Sequence, residues 1–271
     1  MTSSDAETVP KLATCCTLVL LSLPGIVLLA LQPLEILLGP GERGDVARKL
    51  PEYQIRLSLM ANWTILVALS ALVGAVLAPR VHFHAPVIEA LLRGRSLVAC
   101  LQRQLLPAVI LGALVSCVLA VFEWYQAQTL PELVQQLKAS GETSLLAGAL
   151  YGGVVEEILC RWGAMSLFVW CWWKLLQNGT GMPSPQVVWT GNLFAALLFG
   201  AGHLPVAFVY GMNTPFWVCV IIAGNAVPGM GFGWLFWRRG LEASMMAHAL
   251  AHAFAAPMSN FIATMQSDAS F

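Results

Sequence analysis

Long apolar runs alternate with short polar ones along the chain, and many of the runs have the length of a bilayer. A helix that crosses a membrane takes roughly 20 mostly apolar residues. The pattern predicts a first helix over about Leu12 to Leu38, with Pro24 and Pro33 inside it, a second over about Leu57 to Ala78, and a third over about Leu105 to Phe122. A long fourth helix starts near Ser144 and continues to about Leu176. A fifth covers about Val187 to His203 and stops at Leu204-Pro205. Val206 to Trp237 is interrupted by Asn225 and by Val227-Pro228-Gly229, and reads as one tilted span with an interfacial lead-in or as two shorter spans. The last helix covers about Leu241 to Ala263. The expected fold is an all-α polytopic membrane bundle of seven or eight transmembrane helices, a single integral membrane domain over residues 1–271.

Composition strengthens that reading. Of 271 residues, 58% are hydrophobic and 10% are charged, against about 25% charged in a soluble protein. A disordered chain and a soluble domain are both excluded, because charge is depleted where hydrocarbon makes it expensive. Lys plus Arg and Asp plus Glu each number 14, so no basic excess is available for nucleic acid. The seven cysteines form no CxxC pair and are odd in number, and they read as small buried hydrophobes. The amino terminus lacks a positive n-region, so the first apolar run is expected to be retained and not cleaved as a signal. A compact chain of this kind suits a bacterial plasma membrane. Arg80, Arg93, Arg95, Arg103, Lys174, Arg238 and Arg239 fall on one side of a seven-span arrangement, which puts the amino terminus inside. Arg43, Arg48, Lys49 and Arg56 in the first loop then face outward, against the rule. Glu35 and Glu242, at span ends, are expected to reach the interface.

The informative residues are polar groups at positions that should be apolar. GALYGGVVEEILCRWGA sets Glu156, Glu157 and Arg161 about 12 to 17 residues into the fourth helix, near mid-membrane depth at about 1.5 Å per residue. Facing lipid, each would cost at least about 2.5 kcal/mol. Glu157 and Arg161 are four apart with the acid first, the better order for a helical pair. Glu156 points roughly 100° away in an α-helix, with no local partner, which suits a general base or acid. The three could equally form a structural clasp between helices. Gly148 and Gly152 precede Glu156 at four-residue spacing, which lets another helix approach that stripe. His203 closes LLFGAGH, and His248 and His252 lie four apart in MMAHALAHAF, a spacing that can ligate a metal or line a pocket. His82 and His84, in VHFHAP, read as members of a solvated loop. Nothing in the sequence assigns Asn192 or Asn225 a role.

At these residues the sequence resembles the CPBP family, the CAAX prenyl endopeptidases and bacteriocin-processing proteins described as glutamic-type intramembrane proteases. EExxxR is matched by Glu156, Glu157 and Arg161, FxxxH by Phe199 and His203, and the histidine of HxxxN or HxxxD by His248. The run GMGFGWLFWRRGLEASMMAHAL is also similar to the family's approach to that last motif. The resemblance covers roughly residues 144–256, and the first three spans match only in being hydrophobic. Where the family has Asn or Asp, this chain has His252, whose imidazole can also donate a hydrogen bond.

The resemblance implies an intramembrane endopeptidase that hydrolyses a peptide bond in a membrane-associated protein or peptide. In that reading Glu156 activates water, His203 helps to position it, and His248 and His252 stabilise the oxyanion. Glu157 and Arg161 support the fourth helix, and no cofactor is needed. The substitution at His252 keeps a zinc alternative open, with His203, His248, His252 and Glu156 as ligands. A proton-coupled transporter would show paired breaks in two repeated halves, and no such repeat is visible. A non-catalytic immunity or scaffold protein is the remaining alternative. Counted from the cytoplasmic ends, Glu156 and His203 come out ten or more residues deeper than His248, an expectation that sets them apart.

Overall fold

The computed structural model describes residues 10–34, 37, 49–130 and 145–268, with side chains excepted at 127, 256 and 259–268. The described part is all-α, without a strand. Helix α1 is Lys11–Ala30 and α2 is Glu52–Leu77, which ends in a 3-10 turn, Ala78–Val81. A short α3, Pro86–Leu92, leads to α4, Val98–Thr129. One continuous helical path follows: α5, Leu145–Leu150, two π-helical segments, Tyr151–Glu156 and Ile158–Met165, and α6, Ser166–Gln177. The remaining helices are α7 (Pro185–Gly202), α8 (Leu204–Val209), α9 (Pro215–Arg239) and α10 (Leu241–Asp268).

Helix limits follow local chemistry where the signals are strong. Ser184 and Thr214 precede Pro185 and Pro215, and their hydroxyls accept from the amides of Val187 and Trp217, each at 3.4 Å. Helix α1 runs through Pro24 and stops at Ala30, short of the expected Leu38. There Arg56 takes its last carbonyls, donating to Ala30 O and, at 3.0 Å, to Gln32 O. Helix α4 starts at Val98, earlier than expected, and α9 is one helix through Pro228, with α8 as its short lead-in.

Among the described residues, five helices are long and apolar enough to cross a membrane. The expected seven or eight are not reached by this measure. Two further long helical paths, Leu145–Gln177 and α10, carry the buried acids, the arginine and two of the histidines. Exposed leucines and valines around α1, α2 and α4 form the apolar outer surface, as expected of an integral membrane protein.

The bundle has one markedly basic end. Gln104 Nε2 donates to Arg239 O at 2.9 Å and Leu241 N donates to His84 O at 3.0 Å, which joins α3, the start of α4, the end of α9 and the start of α10. Trp189 meets Trp237 edge-on at 6.2 Å, so the start of α7 is drawn to the same place. Arg80, Arg93, Arg95, Arg103, Arg238 and Arg239 are all exposed there. Glu35, Arg43 and Arg48 of the first-loop expectations, and Ser144, lie outside the described residues.

Two expectations at this end are corrected. Glu242 does not reach an interface: it is buried, and its carboxylate accepts from Ile88 N at 2.9 Å and from Gln104 Nε2 at 3.4 Å. An amide that α3 leaves unpaired at its start supplies the reason. His84 is not merely solvated, since its Nδ1 lies 3.6 Å from Glu89 Oε1. That side-chain interaction holds the His84 imidazole above its ordinary pKa and the Glu89 carboxyl below its own.

Helix α10 is held against α4 by small residues. Ala243, Ala247 and Ala251 recur every fourth residue, are fully buried, and pack with Ala108. A Cβ at Gly112 would stand 2.8 Å from Leu250 Cβ and 2.9 Å from Ala247 O. Close backbone approach of this kind is how helices associate in lipid, where no hydrophobic force draws them together. It fixes the rotation of α10, and therefore the face on which Ser244, His248 and His252 stand. Gly112→Ala is expected to cost about 1–3 kcal/mol by overpacking, seen as a lower melting temperature in detergent. Gly202→Ala, with open space at its Cβ, should leave that temperature unchanged.

Candidate active site

The site is built around a local widening of a helix. Residues 151–165 wind mostly as π-helix, in which each amide reaches back five residues and not four. Gly152 and Gly153 lie in its first turn and let α10 come close: a Cβ at Gly153 would be 2.7 Å from Ala249 Cβ and 3.0 Å from Met245 O. At Gly152 a Cβ would be 2.7 Å from His252 Nε2 and 3.0 Å from His248 Nε2. The glycine stripe expected to admit another helix does so, and specifically makes room for two imidazoles.

Glu157 and Arg161 form the buried base of the site. Arg161 Nε lies 3.4 Å from Glu157 Oε2, and neither residue is more than 2% exposed. Arg161 Nη2 donates to Gly229 O at 3.0 Å, and its guanidinium lies 4.9 Å from the Phe199 ring centre and 5.5 Å from that of Phe232. Two aromatic faces and a carbonyl thus stand in for the solvent that this cation has lost. Glu157 accepts from Ser244 Oγ and, at 2.8 Å, from His248 Nδ1.

The other nitrogen of His248 faces the second acid. His248 Nε2 stands 3.7 Å from Glu156 Oε2, too long for a hydrogen bond but close enough for one water to touch both. The expectation that Glu156 has no partner is therefore corrected. The wide turn lets two adjacent acids, expected to diverge, approach one imidazole from different helical positions. His248 is further fixed by stacking on Phe232, centres 4.5 Å apart at 15°, and by His252 on its other side at 5.2 Å and 18°.

Hydrogen-bond partners assign two tautomers. His203 Nδ1 lies 2.8 Å from Phe199 O. A carbonyl only accepts, so Nδ1 carries the proton and Nε2 presents a lone pair. The carbonyl is available because α7 stops at Gly202, where Pro205 prevents continuation and the His203 amide turns back to Gly200 O at 3.2 Å. His248 Nδ1 likewise donates to Glu157. Among the described residues no hydrogen bond holds either nitrogen of His252.

Glu156, His203, His248 and His252 all line one cavity of about 130 Å³, together with Tyr151, Asn225, Phe199 and Phe232. The four expected site residues therefore meet, despite their unequal counted depths. Residue counting from Leu241 misled because α10 begins inside the bundle, beneath α3, with Glu242 already buried. Glu157 and Arg161 lie behind the cavity wall. Sequence reasoning missed Ser244 and Tyr151 and gave Asn225 no role. Ser244 stands four residues before His248, on the same face, a spacing that could have revealed it. Among the described residues, no three His, Cys, Asp or Glu side chains are grouped as metal ligands. The zinc set of His203, His248, His252 and Glu156 does not fit as it stands.

Two acids and three histidines thus gather inside a bundle of apolar helices. The family model described as type II CAAX prenyl endopeptidase Rce1-like matches residues 141–254, and this segment is similar to that family. The match supports a peptide hydrolase of the CAAX prenyl endopeptidase type. No curated protein matches the chain, and no solved structure does.

Removing Glu157 leaves Arg161 buried with its charge uncompensated. Glu157→Ala is expected to cost about 3–5 kcal/mol, read as a large fall in detergent melting temperature. His248 loses its anchor at the same time, so any protein that folds should be inactive.

Proposed function

We propose that Glu156 activates the water that attacks the scissile carbonyl. The observation that carries this reading is the convergence of Glu156, His203 and His248 on one small cavity, with the ring nitrogens sorted by their partners. The water donates one hydrogen to the Glu156 carboxylate and the other toward His203 Nε2, which can only accept. Its oxygen attacks the carbonyl carbon while its proton passes to Glu156. The carbonyl oxygen becomes an oxyanion that His252 stabilises through its N–H and that His248 stabilises when its ring is doubly protonated. Glu156 then gives the proton to the departing amide nitrogen as the C–N bond breaks, which regenerates the carboxylate. Glu157 and Arg161 hold the π-helical segment and orient His248, so their role is positional. The apolar walls keep the cavity at low dielectric, where such contacts count for most.

No metal takes part in this mechanism. A tethered water is favoured over a zinc-bound one because, among the described residues, no three His, Cys, Asp or Glu side chains are grouped so as to hold a metal. The substrate is a protein or peptide associated with the bilayer, in keeping with a cavity set among membrane-spanning helices.

Glu156→Gln keeps the shape of the side chain but cannot accept the proton. It should abolish cleavage of a membrane-tethered reporter and leave the melting temperature within a degree or so of wild type. Residual cleavage by this variant would refute the glutamate mechanism. Protein purified without a histidine tag should contain far less than one zinc per chain, and His252→Asn should retain activity. Stoichiometric zinc that is lost together with activity in His252→Ala would overturn the metal-free reading.

A further inference from the structure

The cavity has a donor that the four motif residues do not supply. Hydrogen-bond accounting shows which groups on its wall can stabilise a developing negative charge. His203 has spent its N–H on Phe199 O and offers only a lone pair. His248 has spent its Nδ1–H on Glu157, so its Nε2 can donate only when the ring is doubly protonated. Asn225 donates one N–H to Ile221 O at 2.8 Å, which ties its amide to the backbone of α9. Three neutral donors remain without a partner among the described residues: the N–H of His252, the second N–H of Asn225 and the phenol of Tyr151. All three belong to residues that line the cavity, and of these the phenol shares the π-helical segment with Glu156.

Tyr151 is placed for this by the π-helix. In a helix whose bonds run over five residues, positions five apart share a face, and Tyr151 precedes Glu156 by five. The acid that holds the water and the phenol therefore look into the same space. The ring is held from the side by Trp63 of α2, edge-on, with centres 5.3 Å apart at 84°. Tyr151 packs against the core, and among the described residues no hydrogen bond holds its hydroxyl. A preorganised donor of this sort costs nothing to reorient when charge develops.

We propose that Tyr151 is a further catalytic residue, whose hydroxyl donates a hydrogen bond to the oxyanion of the tetrahedral intermediate alongside His252. The inference rests on the water-activation reading above. No proton leaves the phenol: it polarises the carbonyl oxygen while water attacks the carbon, and the bond relaxes when the C–N bond breaks and the carbonyl reforms.

The test is Tyr151→Phe in the full chain, in detergent or liposomes, with a membrane-tethered reporter peptide cleaved by the wild type. Loss of one oxyanion donor lowers kcat by roughly 100- to 1,000-fold. The expected result is a fall of that order with KM within about twofold and melting temperature unchanged, together with weaker binding of a phosphinate analogue of the same peptide and unchanged binding of the uncleaved peptide. A kcat close to wild type overturns the proposal. So does a loss of activity that is matched by lower melting temperature and higher KM, which would assign Tyr151 to packing against Trp63. Glu156→Gln, assayed alongside, separates the two ideas. Cleavage surviving there would remove the water-activation reading itself, whereas a wild-type kcat in Tyr151→Phe with inactive Glu156→Gln removes only the role of the phenol.

Discussion

The structure turns on an ion pair that has no access to water. Glu157 and Arg161 are at most 2% exposed, in a bundle whose outer surface is leucine and valine. An uncompensated charge there would cost several kcal/mol, so each element that touches the pair supplies something polar or polarisable. Helix α10 brings Ser244 and His248 to the carboxylate, α9 brings Gly229 O to the guanidinium, and Phe199 and Phe232 cover the cation with ring faces. Because three helices are tied to one pair, their relative rotation is not free. The cavity inherits its geometry from that constraint.

The same interaction links stability to chemistry. The carboxylate that neutralises Arg161 also accepts from His248 Nδ1, and so decides which nitrogen of His248 looks into the cavity. Adjacent acids on one helix thereby acquire different surroundings. Glu157 is enclosed by donors, while Glu156 stands at the cavity surface with 18% of its side chain exposed and His248 Nε2 3.7 Å away. Two like residues with unlike environments are the usual way to separate an anchoring role from a reactive one. A functional centre that is also a structural centre leaves few neutral substitutions within it.

Glycine and π-helix do the geometric work that charge alone could not. Without side chains at Gly152 and Gly153, α10 approaches close enough for His248 and His252 to fill the space a Cβ would take. The wider turn then spreads Glu156 and Glu157 around one imidazole and carries Tyr151 into the same cavity. On the opposite side of α10, alanines against Ala108 and Gly112 prevent the helix from rotating away.

Much of this was determined by the sequence itself. Continuous apolar runs of about 20 residues are read as helices in lipid, and charges within such runs must be paired or used, so Glu156, Glu157, Arg161, His203, His248 and His252 stood out at once. The four-residue spacing of Glu157 and Arg161 gave their pairing, since it depends on one helix alone. Tertiary structure decided the rest. Helical periodicity assumed α geometry, and the π-turns that bring both acids to His248 are not visible in it. Counted depth assumed level helix ends, but α10 starts within the bundle, with Glu242 buried against α3. Ser244, Tyr151 and Asn225 are ordinary in a local window: Ser244 gains meaning from Glu157 across the helix interface, and Tyr151 and Asn225 from the cavity they line. Local pattern fixes which residues cannot face lipid, and only packing between distant segments fixes what they face instead.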